Sequence, residues 1–448
     1  MKLLMYVTLA SIFSGALFAG APNVILIMAD DLGYGDVSCY GSKLNRTPVL
    51  DKMASEGVKL TDYHSGSTVC TPSRMALMTG MYPPRVGWKG GVLGFKMRMS
   101  GGLSAEARTM AEVFKDAGYR TGISGKWHLG DAPERLPQGQ GFEHAFYITA
   151  SNNQTKKLWR NGKLIAEPFN NRRLSEEFTR EAISFIKKER TRPFFLYMPY
   201  TAPHFPVEAH PDWNGKSANK AYGDVVEELD ARLGEILKSL RELEIEKETI
   251  VIFTSDNGPQ GGRKNKTVAD PYRGGKWSVL EGGTRVPCVI SWPGKLPKGK
   301  VCKELVASID LLPSLATACG IELEEKRELP LDGVSVWNTL KGDEGPHLRK
   351  DMLYWNGWAV PQAIRVGQWK LYFDQVKEVK GSKEGPVLID LSTDIAEEED
   401  FSKDHPDRVD EMLALARKRL EAIKAKSISL GGEPQQFPKT KVPRWLLK

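Results

Sequence analysis

Asp30-Asp31 and Asp256-Asn257 each close a strongly apolar run, Val24 to Met28 in one case and Thr249 to Phe253 in the other. Either pair alone also reads as a helix cap or a turn. Together they offer three carboxylates and one amide oxygen, a set suited to a hard, oxygen-seeking ion such as Ca²⁺ or Mg²⁺, whereas zinc more usually recruits His or Cys. Without a cation, three converging carboxylates repel one another and raise their pKa values.

The remaining chemistry-bearing residues are basic or contain sulfur. Lys126 and His128 flank Trp127 in Gly125-Lys126-Trp127-His128-Leu129-Gly130, where the glycines allow close backbone approach to a ligand. His204 is flanked by Pro203 and Pro206, and Lys276 lies in Arg273-Gly274-Gly275-Lys276-Trp277. Taken singly, either histidine reads equally as a structural one, and Lys276 as an ordinary exposed lysine. Cys70-Thr71-Pro72-Ser73-Arg74 sets a cysteine beside a turn-forming proline and an arginine. From residue types alone it is open between a buried small hydrophobe, a reactive thiol and a modified residue.

The elements that must position these groups alternate. Val24 to Met28 is the continuous apolar run of a strand buried on both faces. Thr109 and Glu112 have capping-box spacing, Met110, Val113, Phe114 and Ala117 share one face, and Gly118 caps the helix before a strand at Tyr119 to Ile123. Phe178, Ala182, Phe185 and Ile186 predict a helix before the strand Phe194 to Tyr197, and Val225 through Leu240 another before Thr249 to Phe253. This predicts an α/β fold, a large mostly parallel sheet sandwiched by helices. In such sheets ligands bind outside the carboxyl ends of the strands. Asp30-Asp31, Lys126-Trp127-His128, His204 and Asp256-Asn257 all fall at or just past such ends.

After Lys341 to Pro346 the rhythm changes to short strands at Met352 to Trp355, Ala363 to Val366, Trp369 to Phe373 and Val387 to Leu391, with a helix from Asp407 to Ile423. These predict a smaller C-terminal antiparallel α+β subdomain. The expected division is a leader at 1–20, the catalytic α/β domain at 21–345, and the subdomain at 346–448 ending in a polar, proline-containing tail.

The 448 residues, 41% hydrophobic and 27% charged, exclude a disordered, collagen-like or coiled-coil chain. A net charge of +7 without a polybasic block is a mild bias toward anionic partners and leaves no nucleic-acid footprint. Met1-Lys2 precedes sixteen uncharged residues, Leu3 to Phe18, and then Ala19-Gly20-Ala21-Pro22, which together resemble a secretory signal peptide. The run is shorter than the ~20 residues of a spanning helix, so an exported protein without stable membrane insertion is expected. Five cysteines allow at most two disulfides and have no zinc-like spacing.

These motifs resemble the type I sulfatases of the alkaline phosphatase superfamily. The pattern C-x-P-S-R followed, four residues later, by Thr-Gly is matched from Cys70 to Gly80, and Gly-Lys-Trp-His-Leu-Gly stands intact at Gly125 to Gly130. The likeness continues through Pro203-His204, Ser255 to Gly258, Gly275-Lys276 and Glu281 to Pro287, and runs from Asn23 to beyond Leu391.

The resemblance implies that Cys70 is converted to formylglycine (3-oxoalanine) by a formylglycine-generating or equivalent maturation enzyme, the hydrated aldehyde supplying the nucleophile. It implies one divalent cation, most often Ca²⁺ with Mg²⁺ as the alternative, held by Asp30, Asp31, Asp256, Asn257 and the modified Cys70. It assigns Lys126 and Lys276 to the sulfate, Arg74 to the hydrated formylglycine and His204, assisted by Lys276, to the leaving oxygen. His128 becomes the base that expels sulfate from a covalent sulfate on residue 70. A sulfate ester is anionic, so a cation and basic groups are needed to offset repulsion of an anionic nucleophile. Two histidines with opposite protonation needs fit general acid and base catalysis near neutral pH.

The leading expectation for the substrate is a sulfated glycan. Trp355 to Trp358 and Trp369 to Phe373 either offer faces for sugar rings or pack the small subdomain. The segment Gly87 to Gly102, with Lys89, Lys96 and Arg98, is either a pocket-lining loop or a plain surface connection. The alternatives are an aryl or other small-molecule sulfatase, a phosphonate or phosphodiester hydrolase of the same superfamily, and a non-catalytic glycan-binding protein on an enzyme scaffold. A bacterial periplasmic or secreted location is expected.

Overall fold

The computed structural model describes residues 20–428 and Pro443, apart from 96–98, 189–190, 262–268, 324–327, 377–378, 380–381 and 383–384. The expected leader, save Gly20, most of the expected tail, and Lys96 and Arg98 lie outside the described residues.

In chain order the strands are β1 (Asn23–Ala29), β2 (Val58–Leu60), β3 (Tyr63–His64), β4 (Arg120–Lys126), β5 (His144–Ile148), β6 (Leu158–Arg160), β7 (Lys163–Ala166) and β8 (Phe194–Pro199). They continue with β9 (Thr249–Ser255), β10 (Cys288–Ser291), β11 (Lys300–Cys302), β12 (Val306–Ala307), β13 (Asp351–Trp355), β14 (Pro361–Val366), β15 (Trp369–Tyr372) and β16 (Val387–Asp390). The α-helices are α1 (Pro48–Glu56), α2 (Cys70–Thr79), α3 (Met110–Asp116), α4 (Leu174–Lys187), α5 (Lys220–Glu242), α6 (Glu281–Thr284), α7 (Leu311–Cys319), α8 (Trp337–Lys341) and α9 (Pro406–Ala425).

Ten strands form one sheet in the order β11-β2-β10-β9-β1-β8-β4-β5-β6-β7. Its centre, β9-β1-β8-β4-β5, is parallel throughout, and antiparallel pairs flank it on both sides. β1 is fully buried because its alternate residues enter two different cores. Val24, Leu26 and Met28 pack with Met75, Phe114 and Leu312 on one face, while Ile25, Ile27 and Ala29 pack with Phe178, Val226 and Leu229 on the other. An apolar run without alternation is the signature of this two-sided burial.

Helix α3 has the capping box expected of it: Thr109 Oγ1 accepts from the Glu112 N–H at 3.1 Å and the Glu112 carboxylate accepts from the Thr109 N–H at 2.7 Å. Gly118, at φ +84°, follows in the left-handed region where glycine is favoured at a helix end. The strand beyond it does not stop near Ile123 but runs on to Lys126. The glycines inside β4 are there for contact: a Cβ at Gly125 would lie 2.0 Å from the Pro199 carbonyl oxygen of β8.

The small sheet is the antiparallel meander β13-β14-β15-β16, covered by α9 through Met412, Leu413 and Ala416. Its core is continuous with Ala76, Leu280 and Ile309, so it packs directly on α2. All five cysteines are free thiols. No helix among the described residues is long and apolar enough to cross a membrane.

Candidate active site

Four neighbouring parallel strands, β9, β1, β8 and β4, end on the same edge of the sheet. Asp256-Asn257 follow β9, Asp30-Asp31 follow β1, His204 comes five residues after β8, and Lys126 is the last residue of β4. Backbone bonds tie the strand ends together: the Asp30 N–H donates to Ala202 O at 2.9 Å and the Asp256 N–H to Ala29 O at 3.2 Å. Asp31 and His128 sit at φ +66° and +58°, a conformation that costs non-glycine residues free energy and clusters at functional sites.

Helix α2 brings sulfur and guanidinium to this edge. All ten of its residues are buried, with Cys70 in the first turn and Arg74 one turn later on the same face. The Thr79-Gly80 pair has a local reason: Thr79 Oγ1 donates back to Met75 O at 2.7 Å, and Gly80, at φ +68°, ends the helix by donating its N–H to Ala76 O at 2.9 Å.

Three cations face three carboxylates. Arg74 forks onto Asp256 Oδ2 at 3.1 and 2.7 Å and donates to the Lys126 carbonyl at 3.1 Å. Lys126 Nζ donates to Asp30 Oδ2 at 2.7 Å, and Lys276 Nζ to the Asp31 carboxylate at 2.8 Å. Asn257 Nδ2 donates to Asp31 Oδ1 at 2.7 Å. Burial alone would raise Asp30, but Lys126, His204, Arg74 and Lys276 hold its carboxyl well below the usual range. Asp256 moves the other way, pushed up by burial and by the neighbouring Asp30 charge against the pull of Arg74.

Burial also raises the Cys70 thiol despite the nearby Lys126 and Lys276. The unmodified residue is therefore a protonated, enclosed thiol, and the reactive-thiolate reading of this cysteine loses its basis. Burial, then Lys126, pushes His128 well below its ordinary value. His128 Nε2 lies 2.9 Å from the Leu93 carbonyl, which only accepts, so Nε2 carries the proton. Nδ1 then keeps its lone pair, buried and without a hydrogen-bond partner. His204 is likewise lowered by burial, against the attraction of Asp30 and Asp31. Its Nδ1–H donates to Phe205 O at 2.7 Å, leaving Nε2 3.8 Å from Asp31.

Two buried oxygens, Asp30 Oδ1 and Asn257 Oδ1, accept no hydrogen bond. Such atoms are costly unless something supplies a partner, and here both belong to the oxygen donor set that suits a hard divalent cation. Ligand atoms of Asp30, Asp31 and His204 lie within 4.8 Å of one another, as do those of a second group, Asp62, His64 and Glu281.

The ten residues expected to be catalytic or metal-binding are all at this edge: Asp30, Asp31, Cys70, Arg74, Lys126, His128, His204, Asp256, Asn257 and Lys276. Not anticipated were the Leu93 carbonyl that fixes the His128 tautomer, and Phe205, Tyr222 and Gln260, which line a cavity of about 120 Å³ beside Asp31 and His204. Gln260 Oε1 is buried without a partner; its position directly after Asp256-Asn257-Gly258-Pro259 was the available signal. Of the two aromatic stretches, Trp355 is buried against Tyr82 and Trp369 packs on Phe401 and His405, so these residues pack the subdomain. Trp358 instead lies against Trp277.

The mostly parallel ten-stranded sheet that carries this edge, with helices and a small antiparallel four-stranded sheet beside it, is the alkaline phosphatase type of fold. Residues 22–321 match the sulfatase family model. The chain is 34% identical to human arylsulfatase A over 93% of its length and 90% of the relative's. It is 32% identical to the N-acetylgalactosamine-6-O-sulfatase of Bacteroides thetaiotaomicron, over 90% and 93%. A solved structure described under the metabolism of multiple glycosaminoglycans by Bacteroides thetaiotaomicron superposes with a TM-score of 0.80 at 31% identity, covering 91% of this chain and all of that one. The chain belongs to the sulfatase family and is a sulfuric ester hydrolase.

Proposed function

We propose that this sulfatase removes sulfate from a sulfated carbohydrate. The observation that carries the reading is the meeting of Cys70, three carboxylates, three cations and two histidines at one strand edge. Similarity to a sugar sulfatase over nine-tenths of the chain supports the substrate class.

In this reading Asp30, Asp31, Asp256 and Asn257, with the side chain of residue 70, hold one divalent cation, Ca²⁺ in preference to Mg²⁺ because a cage of five protein side chains suits the larger ion, whereas Mg²⁺ usually keeps several waters. When bound, the ion neutralises negative charge on the ester and on the attacking oxygen. A formylglycine at position 70, hydrated, supplies the attacking hydroxyl. Cys70 is 1% exposed, so the maturation enzyme must act before the fold closes.

Arg74, anchored on Asp256, holds the oxygens of residue 70 in place. Lys126 and Lys276 offset the charge of the sulfate, for which preorganised cations in a dry site are most effective. His204 acts as the imidazolium: its Nδ1–H stays on the Phe205 carbonyl, and the second proton, on Nε2 beside Asp31, passes to the leaving alcohol. His128 receives a proton at the free Nδ1 when sulfate leaves residue 70; the Leu93 carbonyl on Nε2 keeps that atom available. Export to a periplasmic or extracellular location completes the reading, since sulfated polysaccharides are met there.

The test is peptide mass spectrometry across Cys70 on protein made in a host able to mature sulfatases, with sulfate release from sulfated sugars and from an aryl sulfate. A loss of about 18 Da at Cys70 together with release from a sugar supports it. Unmodified Cys70 with full activity overturns the nucleophile, and turnover of aryl sulfates alone overturns the substrate class.

A further inference from the structure

The cavity of about 120 Å³ beside Asp31 and His204 is completed by Pro203, Phe205, Tyr222, Gln260 and Gly261. Most of the polar groups on its wall already have work. The Asp31 carboxylate accepts from Lys276 Nζ and Asn257 Nδ2, and the Tyr222 hydroxyl donates to Asp36 Oδ2 at 2.6 Å. His204 stacks on Phe205 with ring centroids 4.6 Å apart and planes 17° from parallel. Among the described residues of the wall, Gln260 alone has a buried side-chain atom, Oε1, with no hydrogen-bond partner.

The backbone holds Gln260 in this place. It comes three residues after Asn257 and directly after Pro259, whose carbonyl accepts the Lys276 N–H at 3.0 Å. The Gly258 N–H in turn donates to Gly283 O at 2.9 Å. Gly275 permits the approach, since a Cβ there would lie 2.5 Å from the Pro259 carbonyl oxygen. Gln260 thus starts from a segment fastened to the metal-ligand pair on one side and to Lys276 on the other. A buried amide oxygen left unpaired costs free energy unless a ligand or water supplies the donor. Asp30 Oδ1, Asn257 Oδ1 and His128 Nδ1 have assigned roles in the proposed reaction; Gln260 has none.

We infer that Gln260 is a specificity-determining residue that hydrogen-bonds the substrate hydroxyl nearest the sulfated position. This deepens, and rests on, the sulfated-carbohydrate reading. His204 serves the leaving oxygen in that reading, so the carbon bearing the ester enters the cavity that His204 and Gln260 share. The volume is well below the roughly 300 Å³ at which pockets enclose a whole small ligand. Only the sulfated edge of a sugar fits, and the hydroxyl that meets Gln260 is therefore one close to the ester. An amide both accepts and donates, as a hydroxyl does, so the two satisfy each other. A substrate lacking that hydroxyl leaves the amide buried and unpaired, the situation in which a hydrogen-bonding site discriminates strongly.

The experiment compares matured full-length protein on N-acetylgalactosamine-6-sulfate and on its 4-deoxy analogue, which lacks the hydroxyl nearest the ester. The parent should favour the hydroxylated sugar about 30-fold in kcat/KM, and Gln260→Leu should bring the two within about threefold. Gln260→Glu keeps an acceptor and should retain most of the preference. A general loss of folding or catalysis lowers both substrates together and cancels in the ratio. Equal turnover of both sugars by the parent, or a preference that survives Gln260→Leu, overturns the assignment while the sulfatase and carbohydrate readings stand. If the parent releases sulfate from phenyl sulfate but from neither sugar, the carbohydrate reading fails by itself, and 2-hydroxyphenyl sulfate against phenyl sulfate then decides Gln260. A preference for the former that Gln260→Leu abolishes keeps Gln260 as the residue that reads a hydroxyl; the same ratio in parent and variant removes it.

Discussion

Two buried ionic clusters of almost the same composition sit in this molecule. At the strand edge Asp30, Asp31 and Asp256 meet Arg74, Lys126 and Lys276. Between the large sheet and the small one Asp62, Glu281 and Glu397 meet Arg285, Arg365 and Lys370, with His64 among them. Both present a triad of possible metal ligands. What separates them is hydrogen-bond satisfaction. The second cluster leaves no side-chain oxygen or nitrogen of these residues without a partner: Arg365 forks onto Asp62 at 2.7 and 2.6 Å, His64 Nε2 meets Asp62 at 2.8 Å, and Lys370 and Tyr354 both donate to Glu281 Oε1. The first leaves Asp30 Oδ1, Asn257 Oδ1 and His128 Nδ1 unpaired. A closed network holds two layers together, whereas an open one is built to receive something.

The sharpest break of the comparison is Cys70→Ala. It should lower sulfate release at least about 10,000-fold, since the nucleophile is lost, while urea melts shift by about 1 kcal/mol or less because only the end of one small side chain leaves the core. Activity within tenfold of the parent would remove residue 70 from the chemistry. In the second cluster the same kind of single change should appear as stability. Glu281→Gln leaves Lys370 and its arginine neighbours short of charge and should cost about 3–5 kcal/mol in denaturant melts. Burial would raise Glu281, but Lys370, His64 and Arg365 hold it well below the ordinary range. Its contribution is therefore complete above the unfolded pKa, near 4.5, and is lost as pH falls through the lower folded value. The stability gap between parent and variant should be constant above about pH 5 and shrink below it; a gap that widens in acid contradicts the assignment.

A smaller effect is expected from Asn257→Ala, which removes one of the orphaned oxygens. Sulfate release should fall about 100-fold, and the Ca²⁺ concentration needed to restore chelator-treated enzyme should rise. If calcium rescue follows the parent curve, Asn257 does not hold the ion.

Three strands of the parallel centre, β1, β8 and β9, were legible because they are two-sided apolar runs, and the edge where they end was legible for the same reason; β4 was read only from the helix before it, and β5 (His144–Ile148) was not anticipated. Thr109, Glu112 and Gly118 announced α3 through local capping chemistry. Other features depend on distant partners. The strand was expected at Tyr119 to Ile123 and Gly125 to leave room for a ligand, but β4 runs on to Lys126 and the Pro199 carbonyl occupies the place of a Gly125 Cβ. The antiparallel margins rest on strands of three or four residues, too short for a periodic signal. Trp355 and Trp358 are indistinguishable as residue types, and only the packing of Trp358 on Trp277 sets it apart. Asp62 and His64 gave no warning at all, because apart from each other their partners lie more than 200 residues away.

The finest test of the comparison asks what the charges in each cluster are for. Lys370 bridges Glu281 and Glu397, each at 2.9 Å, and burial pushes Glu397 up even against that lysine. Removing both, Lys370→Met with Glu397→Gln, leaves Asp62 and Glu281 facing Arg285 and Arg365, still balanced. The double variant should therefore lose only about 1–2 kcal/mol, less than either single change, because no buried charge is abandoned. The matching operation at the strand edge, Lys276→Met with Asp31→Asn, also keeps charges balanced, yet it should restore no sulfate release relative to the singles. In the proposed mechanism Asp31 serves the cation and Lys276 the sulfate, so cancelling their charges should cancel the function. Additive losses at Lys370 and Glu397, or recovered activity at Lys276 and Asp31, would erase the distinction between a cluster that holds the fold and one that holds a ligand.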